Sequence, residues 1–397
     1  MTDTIVRIAS SGEGVTADGR HARLAAPGDT LTAEGQVLPG PHHAVPPCRH
    51  FPKCGGCQIQ HVDDAAFAEF LVQRISGALT AQALTPPPFA APILTPPESR
   101  RRASLRAERS GKRMVIGFNE GRSHDIVDLS MCSILHPALF ALIAPLRKLL
   151  LPLVRDRKSA GVRLTLVDQG VDVLFDKVKI EGLAAIESIN DFAREHKLAR
   201  LSIEDADGFQ PYWEPEPATV TLGGVAVPFP AGGFLQATAE GEAALLARVK
   251  AIVGDAPTVI DLFAGIGTFG LPLSQHARVM AVEGARPAAT ALKLGSGRAQ
   301  RLIAVELRDL FRRPMEVAEL NRFGAIVLDP PRAGAWEQMA ALAACTAKRI
   351  AYVSCNPATF ARDAKVLIDA GWALVDITPV GQFRWSTHVE LVAEFAR

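Results

Sequence analysis

The 397-residue sequence predicts a multidomain α/β protein with a small N-terminal β-barrel, a central α+β domain and a C-terminal Rossmann-like domain. Three observations carry this. After residue 258, short apolar runs alternate with helical stretches, as in a mostly parallel sheet. Before residue 40, β-like runs are broken every few residues by glycine turns. Proline-rich links at residues 39–47, 85–97 and 211–217 punctuate the stretch between. The parts are drawn at residues 1–44, 45–230 and 231–397.

In chain order, residues 4–8 form the first strand, followed by turns at Gly12, Gly14, Gly19 and Gly28. Asp3, Arg7 and Glu13 interrupt the start of the chain, so it reads as neither a secretory leader nor a membrane anchor. The apolar stretch at residues 138–154 contains Pro145, Arg147, Lys148 and Pro152, which makes it too short and too charged to span a bilayer. Strands at 162–167, 171–175 and 201–203 bracket a helix at 183–196. The last domain supplies strands near 259–262, 279–282, 302–307, 326–328, 350–353, 372–375 and 389–392.

The 43 Lys and Arg nearly cancel 42 Asp and Glu, so overall charge names no partner. Local charge does. Arg100, Arg101, Arg102, Arg106, Arg109, Lys112 and Arg113 face only Glu108 within their window, a density suited to phosphates. Six cysteines, four of them patterned, point to a metal or cluster site in a reducing, cytoplasmic compartment rather than to disulfides.

Gly265, Gly267 and Gly270 follow a strand and open a helix, spelling G-x-G-x-x-G. A dinucleotide would be repelled by Asp261, four residues before the first glycine, whereas a cofactor with a cationic amino-acid moiety is attracted. Glu283 ends the next strand, where a carboxylate can accept ribose hydroxyls. These features resemble the class I S-adenosylmethionine-dependent methyltransferases, a likeness that places Asp309 near the adenine.

Two further strand ends carry chemistry. One is Asp329-Pro330-Pro331-Arg332, a rigid turn in which Arg332 stands where amino-group methyltransferases have a stacking aromatic. The other is Cys355 in Val353-Ser354-Cys355-Asn356-Pro357, a thiol held at a strand-to-loop corner. With Thr387-His388-Val389-Glu390, these motifs resemble the RNA uridine C5-methyltransferases. The pairing makes chemical sense, because a thiolate adding at C6 makes C5 nucleophilic and a carboxylate then removes the C5 proton. The resemblance implies Cys355 as nucleophile and Glu390 as base. It further implies that Gln236, Phe263, Thr268, Glu283, Asp309 and Asp329 contact S-adenosylmethionine, although Thr238 and Thr268 stand where the family has asparagine.

Cys48, Cys54 and Cys57, spaced by five and two residues, are joined by the distant Cys132. Structural zinc prefers paired C-x-x-C knuckles, so the asymmetry favours an iron–sulfur cluster. The ribosomal-RNA branch of the family carries a [4Fe-4S] cluster on this spacing, and its Gly-Gly-Cys segment recurs at Gly55-Gly56-Cys57. The opening segment resembles a short TRAM domain, an OB-like RNA-binding barrel. Together these imply an RNA substrate, 23S rRNA first, with no membrane partner and a monomeric enzyme. The rivals are a tRNA uridine C5-methyltransferase, a cytosine C5-methyltransferase and a non-catalytic iron–sulfur RNA-binding or assembly factor.

Overall fold

The computed structural model describes residues 2–206 and 208–397. Strands β1 (Asp3–Ile8), β2 (Gly14–Thr16), β3 (His21–Ala22), β4 (Thr30–Leu31) and β5 (Val37–Leu38) form one antiparallel sheet in the order β3-β2-β1-β4-β5. Its end strands do not pair, so the expected barrel is corrected to an open half-barrel packed around Ile5, Ala22, Ala25 and Leu31. Strands of two or three residues offer too few ladder bonds to close the curve. The fully buried Asp29 ties this sheet to the connector by accepting from the Ala26 and Gly40 amides and from His43 Nδ1, each at 2.7 Å.

The middle of the chain comprises α1 (Asp64–Ala81), β6 (Ile93–Leu94), β7 (Arg102–Ser110), β8 (Arg113–Gly117), α2 (Pro137–Phe140), α3 (Ile143–Leu153), β9 (Ser159–Val167), β10 (Gly170–Asp176), α4 (Leu183–Glu195), β11 (Arg200–Asp205), β12 (Gly208–Trp213), β13 (Thr219–Leu222) and β14 (Val225–Pro228). Six of its strands make a mixed sheet in the order β12-β11-β10-β9-β7-β8, with the apolar faces of α3 and α4 packed on it. The β7–β8 hairpin carries the basic run, but its arginines are largely committed within the fold. Arg101 pairs with Glu242 at 2.5 Å and Arg113 with Asp128 at 2.8 Å, and Arg106 binds Ser159. Arg109 donates to the carbonyls of Gly111 and Val154. Four of the run's seven cations thus already have partners within the fold.

The C-terminal part comprises α5 (Ala239–Val253), β15 (Thr258–Leu262), α6 (Gly270–Leu273), β16 (Arg278–Glu283), α7 (Arg286–Arg298), β17 (Ile303–Leu307), α8 (Val317–Leu320), β18 (Ala325–Leu328), α9 (Trp336–Ala344), β19 (Arg349–Ser354), α10 (Pro357–Asp369), β20 (Ala373–Gly381) and β21 (Glu390–Ala396). Its sheet runs β17-β16-β15-β18-β19-β21-β20-β6. The first five strands are parallel, and β21 lies antiparallel between β19 and β20. Strand order reverses between β15 and β18, which opens a crevice at their carboxyl ends.

Elements before residue 231 belong to this sheet as well. The side chain of Asp63 caps α1 through the Ala66 amide, and α1 lays Phe67, Phe70, Leu71, Ile75 and Leu79 into the core shared with α10 and β20. Strand β6 pairs with β20, and the β13–β14 hairpin packs Val220, Leu222 and Val227 against Ala291 and Leu292 of α7. Among the described residues, no helix is long and apolar enough to cross a membrane.

Candidate active site

The crevice is built from five strand ends. After β15, Phe263 takes a left-handed backbone (φ 62°), which costs an aromatic residue about 1–3 kcal/mol and recurs at functional turns. Its ring meets Phe311 at 5.5 Å. Gly265 and Gly267 follow with φ of 57° and 99°, and a Cβ on Gly267 would lie 2.5 Å from Leu292 Cδ1, so side chains are excluded there. The Gly265 amide donates to Glu283 Oε2 at 2.8 Å and the Ala285 amide to Oε1 at 2.6 Å, which fixes that carboxylate beside the loop. Asp309 is exposed beyond β17, where it accepts from the Phe311 amide at 3.0 Å, and Thr268 lies half-buried on the glycine loop.

Asp261 is fully buried, and neither carboxylate oxygen accepts a well-formed hydrogen bond. Burial pushes its pKa up to about 8, Asp329 and Glu283 add repulsion, and the Gly270 amide gives only partial relief. Burial likewise raises Asp329 to about 7 and Glu390 to about 8. An orphaned buried acid beside a glycine loop fits a cofactor that carries positive charge, since a nearby cation favours the ionised form. The ammonium and sulfonium groups of S-adenosylmethionine are such cations.

The pH consequences follow from the sign of these shifts. Each of the three groups has a folded-state pKa above its ordinary value of 3.8 or 4.5. The unliganded protein should therefore lose stability as pH rises from about 4 through about 8, and a cationic ligand should restore it. We expect S-adenosylmethionine binding at neutral pH to release protons, read by calorimetry in buffers of different ionisation enthalpy. Asp261→Asn should weaken binding about ten- to hundredfold, the scale of a hydrogen bond to a charged group. Unchanged affinity in that variant would assign the ammonium to another residue.

On the other side of the crevice, Cys355 follows β19, and Glu390 opens β21 with 6 % of its surface exposed. Burial raises the Cys355 thiol to about 11, the Glu390 and Asp329 charges push it further, and Arg332 opposes them. Gln236 donates to Asp329 Oδ2 at 3.5 Å and its Oε1 accepts from Gln382 Nε2 at 2.9 Å, while Gln382 also hydrogen-bonds Glu390. The fold thus brings Gln236, Asp329, Cys355 and Glu390 together. Thr238 caps α5 through the Gly241 amide at 3.0 Å, which gives that residue a structural task.

Four participants make contacts that the sequence alone did not show. Gln382 bridges Gln236 and the Ala237 amide. Arg102 turns from the hairpin toward Glu390 and lies 4.4 Å from the centre of the Phe234 ring. His388, held neutral by burial and by Arg332, meets Arg332 Nη2 at 2.6 Å through Nδ1. Asp363, fully buried on α10, accepts from Tyr352 Oη and the Ala335 amide at 2.7 Å each. With Asn356, Thr359 and Arg362, which donate to the carbonyls of Arg332 and Ala333, it locks the cysteine-bearing corner onto the Asp329 turn.

The second cysteine set is buried or half-buried next to this site. Burial raises the thiols of Cys54, Cys57 and Cys132, Cys57 to about 12, and they lie close enough to Cys48 and to one another for their charges to repel. The Gly56, Ile134 and Leu135 amides and the guanidinium of Arg100 oppose this by favouring thiolate. Among the described residues, no group of three or more His, Cys, Asp or Glu is arranged to hold a single metal ion, so an iron–sulfur site is not shown. Four thiols that feel one another's charge are nevertheless the donor chemistry that an iron–sulfur cluster takes. Beside it, the Gln58 and Ile59 amides donate to the Trp385 carbonyl, bracing the segment that leads into Glu390.

Comparison with known proteins agrees with this geometry. The sequence model of the tRNA (uracil-5-)-methyltransferases matches residues 226–393. An uncharacterized RNA methyltransferase of Zymomonas mobilis is 48 % identical over 99 % of both chains. The 23S rRNA (uracil(1939)-C(5))-methyltransferase RlmD of Pectobacterium carotovorum is 32 % identical over 89 % of this chain and 81 % of its own. In fold, the tRNA (uracil-54, C5)-methyltransferase of Pyrococcus abyssi, solved with S-adenosyl-L-homocysteine, superposes with a TM-score of 0.76 at 22 % identity over 100 % of this chain and 99 % of that one. A carboxylate-lined glycine crevice, a thiol and a buried acid at its edge, and relatives of this identity over nearly the whole chain place the protein in the S-adenosylmethionine-dependent RNA (uracil-5-)-methyltransferase family.

Proposed function

We propose that the protein methylates C5 of a uridine in 23S rRNA through a covalent adduct on Cys355. The observation that supports this most is the convergence of Cys355 and the buried Glu390 on the crevice edge occupied by Asp329. The Pectobacterium relative favours ribosomal over transfer RNA, as does the cysteine set. Methylation of cytosine is disfavoured because those enzymes pair a Pro-Cys with a Thr-Cys, whereas here Pro-Cys occurs only at Cys48, in the other cysteine set, and no cysteine follows a threonine.

S-adenosylmethionine supplies the electrophilic methyl group, held by Gln236, Phe263, Thr268, Glu283, Asp309 and Asp329, with Asp261 beneath its cationic end. The Cys355 thiolate adds to C6 of uracil, and the electron pair moves to C5 as an enolate. C5 bonds to the methyl carbon as the carbon–sulfur bond breaks and S-adenosylhomocysteine leaves. Glu390 takes the C5 proton, the C5–C6 double bond re-forms, and the Cys355 thiolate is expelled. Arg332 lowers the cost of the thiolate, and Arg102 that of the Glu390 carboxylate.

Cys48, Cys54, Cys57 and Cys132 would hold a [4Fe-4S] cluster, and the packing of Cys57 and Cys132 against Trp385 would tie it to the segment that leads into Glu390. Methyl transfer from a sulfonium needs no redox step, which assigns the cluster a structural or RNA-binding task. Protein purified without oxygen should carry about four irons per chain and absorb broadly near roughly 400 nm. Stoichiometric zinc without iron overturns the cluster. Mapping 5-methyluridine in 23S rRNA from cells with and without the gene tests the substrate. One site should lose its methyl group, and an unchanged map with a lost methyl in transfer RNA would move the activity there.

A further inference from the structure

Trp336, the first residue of α9, keeps 53 % of its surface exposed although it begins one residue past the end of the Asp329 turn's buried anchor at Ala335. The Arg362 guanidinium sits 5.3 Å from the ring centre, fixed there by bonds to the Ala333 carbonyl and to Asp363 Oδ1. A cation behind an indole makes the ring a rigid platform. In front of it runs an open groove of about 400 Å³, walled by Phe311, Pro314, Met339 and Val366, with Glu337 as its one charged wall residue. Pro314 follows the exposed Arg312, which pairs with Asp309 at 3.5 Å, and the exposed Arg313.

We infer that this groove seats a nucleotide of the RNA next to the flipped uridine, its base stacked on Trp336 and its phosphate facing Arg313. This deepens, and rests on, the reading of the protein as an RNA uridine methyltransferase. Three features select RNA as the occupant. The groove adjoins the Asp329 turn, since Arg362 binds both Trp336 and the Ala333 carbonyl of that turn. Arg313, exposed beside the groove, can meet a phosphate. The groove's apolar, aromatic lining suits unpaired bases, whose faces stack on indole whatever their sequence.

Stacking tolerates any base, so a ten-nucleotide oligoadenylate serves as a probe alongside unmodified 23S rRNA transcript. Trp336→Ala should weaken binding of both about ten- to hundredfold, the range for losing one stacked base, and raise KM for the transcript more than it lowers kcat. Affinity for S-adenosylmethionine should stay at the wild-type value, which also reports an intact fold. Trp336→Phe should retain most of the RNA affinity yet lose the tryptophan quenching that oligoadenylate causes in the wild-type protein. Unchanged RNA affinity in the alanine variant, or quenching that persists in the phenylalanine variant, overturns the inference. So does weakened cofactor binding with RNA binding intact, because the groove would then hold the adenosine. These outcomes are separate from failure of the functional reading, which would show as a wild-type protein that binds the oligonucleotide but methylates no RNA.

Discussion

Cys355→Ala should abolish methyl transfer, with turnover reduced about 10⁴-fold or more, the scale of removing a catalytic nucleophile. Substrate RNA carrying 5-fluorouridine should form a covalent complex with the wild-type protein, because fluorine at C5 cannot leave as a proton does. The alanine variant should form none and still bind S-adenosylmethionine, since Asp261, Glu283 and Gln236 are untouched. The thiol is held near 11 by burial and two neighbouring carboxylates. Adduct formation should therefore accelerate as pH rises from 6 toward 9, the direction in which thiolate becomes available. Trapping that survives the substitution would assign the adduct to another residue.

Glu390→Gln keeps the size and much of the hydrogen bonding with Gln382 but removes the proton acceptor. Elimination should slow about 10²- to 10⁴-fold, as for loss of a general base, while methyl transfer still occurs. Natural RNA should then accumulate as a methylated covalent complex, seen as a slow-migrating band that carries label from the methyl group. Because Glu390 sits near 8 in the unliganded protein, elimination in the wild type should also quicken with rising pH over the neutral range. A band without label would place Glu390 before methyl transfer, and normal turnover would hand the proton to another group.

The sequence made the C-terminal sheet legible because parallel strands covered on both faces read as unbroken apolar runs, as in the fully buried β18. The glycine loop, the Asp329 turn and Cys355 were visible for a related reason: each follows such a run directly. Three features hid. The half-barrel could not be told from a closed barrel, because closure depends on pairing between strands only two residues long. The basic hairpin resembled a free phosphate face because its partners, Glu242, Asp128 and Ser159, come from elsewhere in the chain. The proline-rich links looked like domain borders, yet α1, between two of them, and β6, within the second, pack into the catalytic sheet.

The site itself divided the same way. Residues whose role follows from local sequence, such as Asp261 before its glycines or Cys355 before Asn-Pro, could be named. Gln382, Arg102 and Asp363 reach partners far along the chain, Asp363 to Tyr352 across 11 positions, Gln382 to Gln236 across 146, and Arg102 to Glu390 farther still. No periodicity or spacing announces such a partner.

Transcripts of 23S rRNA labelled with tritium at C5 of uracil test the central chemistry most directly. The exchange of a C5 hydrogen for a methyl group, driven by Cys355 and completed by Glu390, predicts one tritium released to water for each methyl group transferred, and none with Cys355→Ala. Methyl transfer without tritium release would place the new bond on a different atom and contradict the assignment of C5.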